Sequence, residues 1–377
     1  MKKSIFFAAL MMTVAIFTSC NSGDATPQND STKLWSAQDA KGEKWGFIDA
    51  KGNMAISAMY DDVNSFSCGY AYARVGSNVF FIDKNGKNAA TPDLSDGCDP
   101  YFYNNALCYK VNGNWGMLDN NFKTIIQPAY SFLGYMGANG LVAYSMSGDN
   151  HYGFLNKKGE VAISAIYDDA QRFSDGIAVV RVGDKWGAID AKGQFAINAM
   201  YDRLESAGEG RVIFLQNEKF GLLDTKGNIV VNAMYDNIEA CADNGLFPVR
   251  QGEKMGYINK SGDMKIAAMF MDGSAFYEGY AWVKRTQESN YELIDANGKT
   301  VLTLGKDENY HSMFHNGLAL VYSYSDKGIT LKYIDIKGTM IYSWTVGGYY
   351  APAAERKVPT NAELFAGTQY APLFIKK

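Results

Sequence analysis

The sequence predicts an all-β protein built from tandem four-stranded antiparallel units. Three observations carry that expectation. The first is composition: 38 Gly, 25 Tyr and 21 Phe in 377 residues, with only 8 Pro, favour strands and turns over helices. The second is a register. An Asp or Asn recurs at Asp49, Asp83, Asp119, Asn156, Asp190, Asp224, Asn259, Asp295 and Asp335, at spacings of 34, 36, 37, 34, 34, 35, 36 and 40 residues. The third is strict apolar alternation on either side of that register, the signature of half-buried strands.

The chain begins with an address rather than a fold. Lys2 and Lys3 precede an apolar run from Ile5 to Phe17, interrupted only by Thr13. Such a run is short for a membrane span and has the length of a signal-peptide core. It ends Phe17-Thr18-Ser19-Cys20, which resembles the lipobox of bacterial lipoproteins, with Phe17 where that family prefers Leu. The resemblance implies cleavage after residue 19 and lipid on Cys20. Removing residues 1–19 leaves 34 basic against 40 acidic side chains. Residues 20–32 are polar and small, a flexible tether with no means of building a core. No later stretch reaches the apolar length of a membrane helix. The formal net charge of −4 lacks the basic footprint of nucleic-acid binding.

The repeat domain follows over residues 33–344, nine units in all. Each unit opens with a strand such as Trp45-Gly46-Phe47-Ile48, where the Gly leaves room for close approach of a neighbour. Asp49-Ala50-Lys51-Gly52 is a tight turn: the Asp side chain bonds backbone and the Gly supplies positive φ. A second strand alternates through Met54 and Ile56. A third is expected to start at Ala58-Met59-Tyr60-Asp61, repeated as Ala165-Ile166-Tyr167-Asp168, Ala199-Met200-Tyr201-Asp202 and Ala233-Met234-Tyr235-Asp236. A fourth begins after glycine, as in Gly69-Tyr70-Ala71-Tyr72 and Gly176-Ile177-Ala178-Val179.

In the Trp-Gly, apolar pair and Asp-x-x-Gly pattern the chain resembles the WG-repeat family of bacterial proteins. The repeat-bearing residues are Trp45, Gly46, Trp115, Gly116, Trp186, Gly187, Gly221 and Gly256. The pattern departs at Val79-Phe80, Tyr291-Glu292 and Leu331-Lys332, so the second, eighth and ninth units are degenerate. A repeated four-stranded meander is the blade of a β-propeller, and an open β-solenoid is the alternative arrangement. Nine blades slightly exceed the usual range of about 4–8. The tail 345–377 lies outside the repeat, and its Leu373-Phe374-Ile375 is expected to pair into the first blade, which lacks a strand of its own.

Chemistry-bearing residues are few. Asp93, Asp96 and Asp99 sit beside Tyr101 in an irregular stretch and form the densest carboxylate group, a candidate cation or sugar site on a loop. The register Asp/Asn offer one carboxylate per turn, whereas a calcium loop concentrates several. His311 and His315 fall on a strand, which separates them too far to share a metal. Tyr60, Tyr167, Tyr201 and Tyr235 recur at one slot, either as a stacking rim for ligands or as packing between units. Cys68, Cys98, Cys108 and Cys241 match no zinc spacing. Catalytic residues, metal and cofactor are all read as none. The expected function is an exported, lipid-anchored envelope protein, assigned to the outer membrane, touching membrane only through its lipid. Its repeat domain is expected to bind or scaffold a protein or glycan. The alternative is a carbohydrate-active hydrolase with carboxylates at the centre of the ring.

Overall fold

The computed structural model describes residues 33–347. Cys20, the tether and the tail segment 373–375 lie outside the described residues. What is described consists of strands and their connections, in nine antiparallel sheets that follow one another along the chain. Six sheets have four strands and three have three. In the second sheet Asn88 adds a single bridge to Ile82, and in the third Cys98 adds one to Tyr109, each marking the position of the missing strand. The sheets pack side against side as the blades of a β-propeller.

Blade and sequence repeat are out of phase. In blade 5 the strands are Asp169–Ser174, Ile177–Val182, Lys185–Asp190 and Phe195–Tyr201. The Trp-Gly strand is therefore third in its blade. The expectation that Ala-Met-Tyr-Asp opens a new strand is corrected: Ala58-Met59-Tyr60 closes the long strand Met54–Tyr60, and the next strand begins at Asp62. The cause is a bulge. Trp45 pairs with Tyr60 but Phe47 pairs with Ile56, so the fourth strand carries extra residues opposite Gly46.

That bulge explains the Trp-Gly glycine. A Cβ built on Gly46 would stand 2.4 Å from the Ile56 carbonyl oxygen, and one on Gly187 2.6 Å from that of Ile197. Gly116, Gly153, Gly221 and Gly256 meet the same backbone at 2.5–2.8 Å. The bulged strand crosses where a side chain would be, so in these six blades the position is held by glycine.

The register turn is equally uniform. Oδ1 of Asp49 accepts the backbone N–H groups of Lys51 (2.8 Å) and Asn53 (2.9 Å). The same pair of bonds forms at all nine register positions, Asn156 and Asn259 included. Phe122 replaces glycine in one turn, at φ 59. Its ring compensates for that conformation by packing on Tyr70, Phe81 and Phe102 at 5.0–5.5 Å.

The ring closes by packing blade 9 on blade 1. One apolar cluster joins Trp35, Trp45 and Phe47 to Leu318, Tyr333 and Trp344. Trp45 and Trp344 meet edge to face at 6.2 Å. The Tyr333 hydroxyl donates to the Ser36 carbonyl (2.9 Å), that of Tyr342 to Gln38 (2.8 Å), and the Trp35 indole to His315 (2.9 Å). These contacts span the two ends of the repeat domain, which an open solenoid would hold apart.

Candidate functional site

The first strands of the blades lie innermost, and their neighbours bind them directly. The Cys241 N–H donates to the Ala207 carbonyl of the preceding blade (2.8 Å), and the Asn104 amide to that of Met136 (2.7 Å). The turn after each first strand also carries acids that clip blades together. The Glu278 carboxylate accepts the N–H groups of Asn316 (2.6 Å) and Gly317 (3.2 Å). One blade earlier, Asp243 accepts those of Glu278 and Gly279.

A second set of carboxylates works farther out. Asp61, Asp202 and Asp236 receive the ammonium groups of Lys44, Lys185 and Lys219 from the preceding blade. Asp61, Asp168 and Asp236 also accept Gly76, Gly183 and Gly252 N–H, each at 2.6 Å. The lysine and the turn N–H groups hold the Asp61 and Asp236 carboxyls below the usual range.

The acidic group picked out in the sequence is dispersed. Asp93 is exposed and caps its own turn by accepting Ser95 N–H (2.9 Å). Asp96 accepts Asn112 N–H (2.5 Å), the role that Asp61 and Asp236 play in their blades. Asp99 and Tyr101 are partly covered on the inner segment of blade 3, where Asp99 bonds the Cys108 thiol and Tyr101 bonds Asn64 and the Ser65 backbone. Burial pushes the Asp99 carboxyl up to about 7, against the opposing pull of Lys110. It also pushes the Tyr101 hydroxyl up to about 12.

Glu239, on the inner segment of blade 7, was not singled out in the sequence. Its side chain reaches solvent but is walled in by surrounding strands, and this desolvation pushes its carboxyl up to about 7, with Arg250 opposing and Asp272 adding to the rise. The signal was present in Asn237-Ile238-Glu239-Ala240, an acid alternating with apolar residues in a first strand. Beside it, Asp272 accepts the Tyr291 hydroxyl (2.9 Å), and the buried Tyr257 donates to the Ser274 carbonyl (2.8 Å). His311 is walled in, which lowers its pKa to about 4. Among the described residues no group of three His, Cys, Asp or Glu is arranged to hold a metal ion. Among the described residues, Cys68, Cys98, Cys108 and Cys241 are joined by no disulfide.

The repeated tyrosines are packing residues. Tyr60, Tyr167 and Tyr235 are buried between blades, and Tyr201 packs edge to face on Phe214 at 5.6 Å. The outer strands instead expose apolar pairs in four consecutive blades: Val161 and Ile166, Phe195 and Met200, Ile229 and Met234, Met264 and Met269, each 40–65% exposed.

A sequence profile described as WG containing repeat matches residues 45–78, 115–148, 152–186, 186–220, 220–254 and 255–286, together more than half of the chain. The chain belongs to the WG containing repeat family. The WG matches omit the three units in which Val79-Phe80, Tyr291-Glu292 and Leu331-Lys332 replace the Trp-Gly pair, although all three still form blades. Among curated proteins no relative matches the WG-repeat chain. Among solved structures, a eukaryotic initiation factor is similar over 84% of this chain and 97% of its own, at 12% identity and a TM-score of 0.57. The dihydro-heme d1 dehydrogenase NirN is similar over 89% and 77%, at 12% identity and a TM-score of 0.42. At these identities the likeness concerns the propeller fold alone.

Proposed function

We propose that this WG-repeat protein is exported, lipid-anchored through Cys20 to the cell envelope, and serves as a non-catalytic binding or scaffolding module for another protein. The run from Lys2 to Cys20 supports the anchor. The observation that carries the binding reading is the outer apolar series from Val161 to Met269. Apart from Met269, whose sulfur accepts Arg285, these side chains are exposed, and apolar surface concentrated over neighbouring blades marks interaction sites. A protein face with its own apolar side chains is the partner such a surface fits. A glycan is the second ligand class of the same reading. The carboxylates, by contrast, are largely engaged in turn and blade-to-blade bonds.

Two measurements test this. Cys20→Ala should move the protein from membrane to soluble fractions, and an unchanged membrane fraction refutes the anchor. A photo-crosslinker placed at Met200 should yield a discrete adduct that is lost in Ile229→Lys. Absence of any adduct beside strong glycan-array binding turns the reading to sugars.

One observation favours a hydrolase: a carboxyl raised to about 7, as at Glu239, is the form a general acid needs at neutral pH. Glycan hydrolysis abolished by Glu239→Gln would establish that alternative.

A further inference from the structure

We propose that one end of the ring docks on an anionic phospholipid bilayer through the lysines of blades 9, 1, 2, 3 and 4. This contact is additional to the lipid on Cys20 and rests on that proposed anchor.

In a four-stranded meander, the turn between the first two strands and the turn between the last two emerge at the same end of the blade. The latter is the register turn, so the nine register turns share one end of the ring. They also lean on one another's blades. A Cβ on Gly52 would meet the Ile341 carbonyl oxygen of blade 9 at 2.2 Å, one on Gly86 the Ile56 side chain of blade 1 at 3.0 Å, and one on Gly159 the Ile126 side chain of blade 3 at 3.6 Å. Each of these turns rests on the outer strand of the blade before it. The turn tips therefore make a continuous rim.

Charge divides this end into two arcs. In blades 5 to 8 the first turns carry Asp175, Glu209, Asp243 and Glu278. In blades 2, 3, 4 and 9 the same turns read Cys68-Gly69, Asn104-Asn105, Asn139-Gly140 and Asn316-Gly317, without charge. Together with Lys33, the register turns of blades 9 and 1 to 4 present eight exposed lysines, Lys51, Lys84, Lys123, Lys158 and Lys337 among them. Five carboxylates stand with these lysines. Four are Asp49, Asp83, Asp119 and Asp335, each folded back onto two N–H groups of its own turn. The fifth is Glu160. The arc is thus net positive in a chain whose formal net charge is −4. The opposite end of the same blades exposes Glu43, Asp96 and Asp149 instead.

The chain enters the ring within the basic arc. Trp35 pairs with Ile48, the residue before the Asp49 turn, so Lys33 stands at the rim. Thirteen residue steps separate Lys33 from Cys20, a reach of at most about 45 Å. Strands of six residues put the opposite end about 20 Å farther along the chain direction. A lipid on Cys20 therefore keeps the lysine arc, rather than the acidic end, nearest the bilayer. Anionic headgroups complement that arc, and each lysine near such a surface strengthens attachment about fivefold.

The test uses the full protein as the cell produces it, mixed with vesicles of phosphatidylglycerol and phosphatidylcholine in equal parts, or of phosphatidylcholine alone. Lysines are acylated with a water-soluble reagent and read by mass spectrometry. Labelling of Lys51, Lys84, Lys123 and Lys158 should slow at least about fivefold on the anionic vesicles and recover in about 1 M salt. Lys41 and Lys327, at the opposite end, should label alike on both. Lys84→Glu combined with Lys158→Glu should restore labelling of Lys51 and Lys123. Equal labelling on the two kinds of vesicle overturns the proposal, and so does slowing at Lys41 and Lys327 in place of the arc. The mass of the Cys20 peptide reads the anchor separately: slowed arc lysines beside an unmodified Cys20 refute the anchor and leave the docking standing.

Discussion

Gly187→Ala tests the reason the repeat keeps its glycine. The added Cβ would stand 2.6 Å from the Ile197 carbonyl oxygen and 2.7 Å from the Ala199 nitrogen. Both are backbone atoms of the bulged outer strand, which has to move by several tenths of an ångström and loosen its pairing with the Trp-Gly strand. Overpacking of this kind costs about 1–3 kcal/mol. Alanine returns about 0.4–1 kcal/mol by restricting the unfolded chain, leaving a net loss of about 1 kcal/mol. Gly347→Ala is the control, because its added Cβ meets nothing within 4 Å. Urea unfolding followed by tryptophan fluorescence gives the midpoint and slope for each. A Gly187→Ala protein within about 0.5 kcal/mol of the control, the usual range for a neutral surface change, refutes the reasoning.

Three further outcomes follow from the bonds described. Asp190→Ala removes the acceptor of two turn N–H groups and should cost about 1 kcal/mol in urea unfolding. Asp190→Asn, which reproduces the native Asn156 and Asn259 turns, should cost almost nothing; equal losses would deny the turn role. Asp61 and Asp236 have folded pKa values below 3.8, so their contribution is present above that pH and is lost as pH falls through the lowered values. Asp236→Asn should therefore flatten stability below about pH 4, measured by Tm across pH, and an unchanged profile would contradict the assignment. Glu239 runs the opposite way: its pKa rises from 4.5 to about 7, so the folded state holds the extra proton in that window and stability falls as pH climbs through it. Glu239→Gln should raise Tm at pH 8 and leave it unchanged at pH 4; a gain at both would point to packing instead.

Much of the architecture was legible because one design is copied. The Asp49 and Asp190 turns, the Trp-Gly strands and the unit count could be read directly, since a side chain that bonds its own turn leaves a local mark. Strand phase was less legible. Ala-Met-Tyr-Asp looks like a strand opening, but the bulge opposite Gly46 extends the previous strand through Tyr60, and a bulge depends on pairing across strands. The site was hardest to read. Asp93, Asp96, Asp99 and Tyr101 are neighbours in sequence, yet each serves a different local bond. Glu239 acquires its character chiefly from the crowding of inner strands, with Asp272 of the next blade adding to it, contacts that no single repeat encodes. The exposure of Met200 and Ile229 follows from lying on the fourth strand, which became clear only when the blade boundary was fixed.

The central claim is a closed ring of nine blades, and the contact between Trp45 and Trp344 tests it most directly. A double-mutant cycle with Trp45→Leu, Trp344→Leu and both together isolates their interaction from the cost of each cavity. Edge-to-face pairs are worth about 0.5–1.5 kcal/mol beyond burial, so a closed ring predicts a coupling of about 1 kcal/mol between residues almost three hundred positions apart. A coupling of zero, with the two losses simply additive, would mean that blade 9 does not meet blade 1 and that the repeat domain is open.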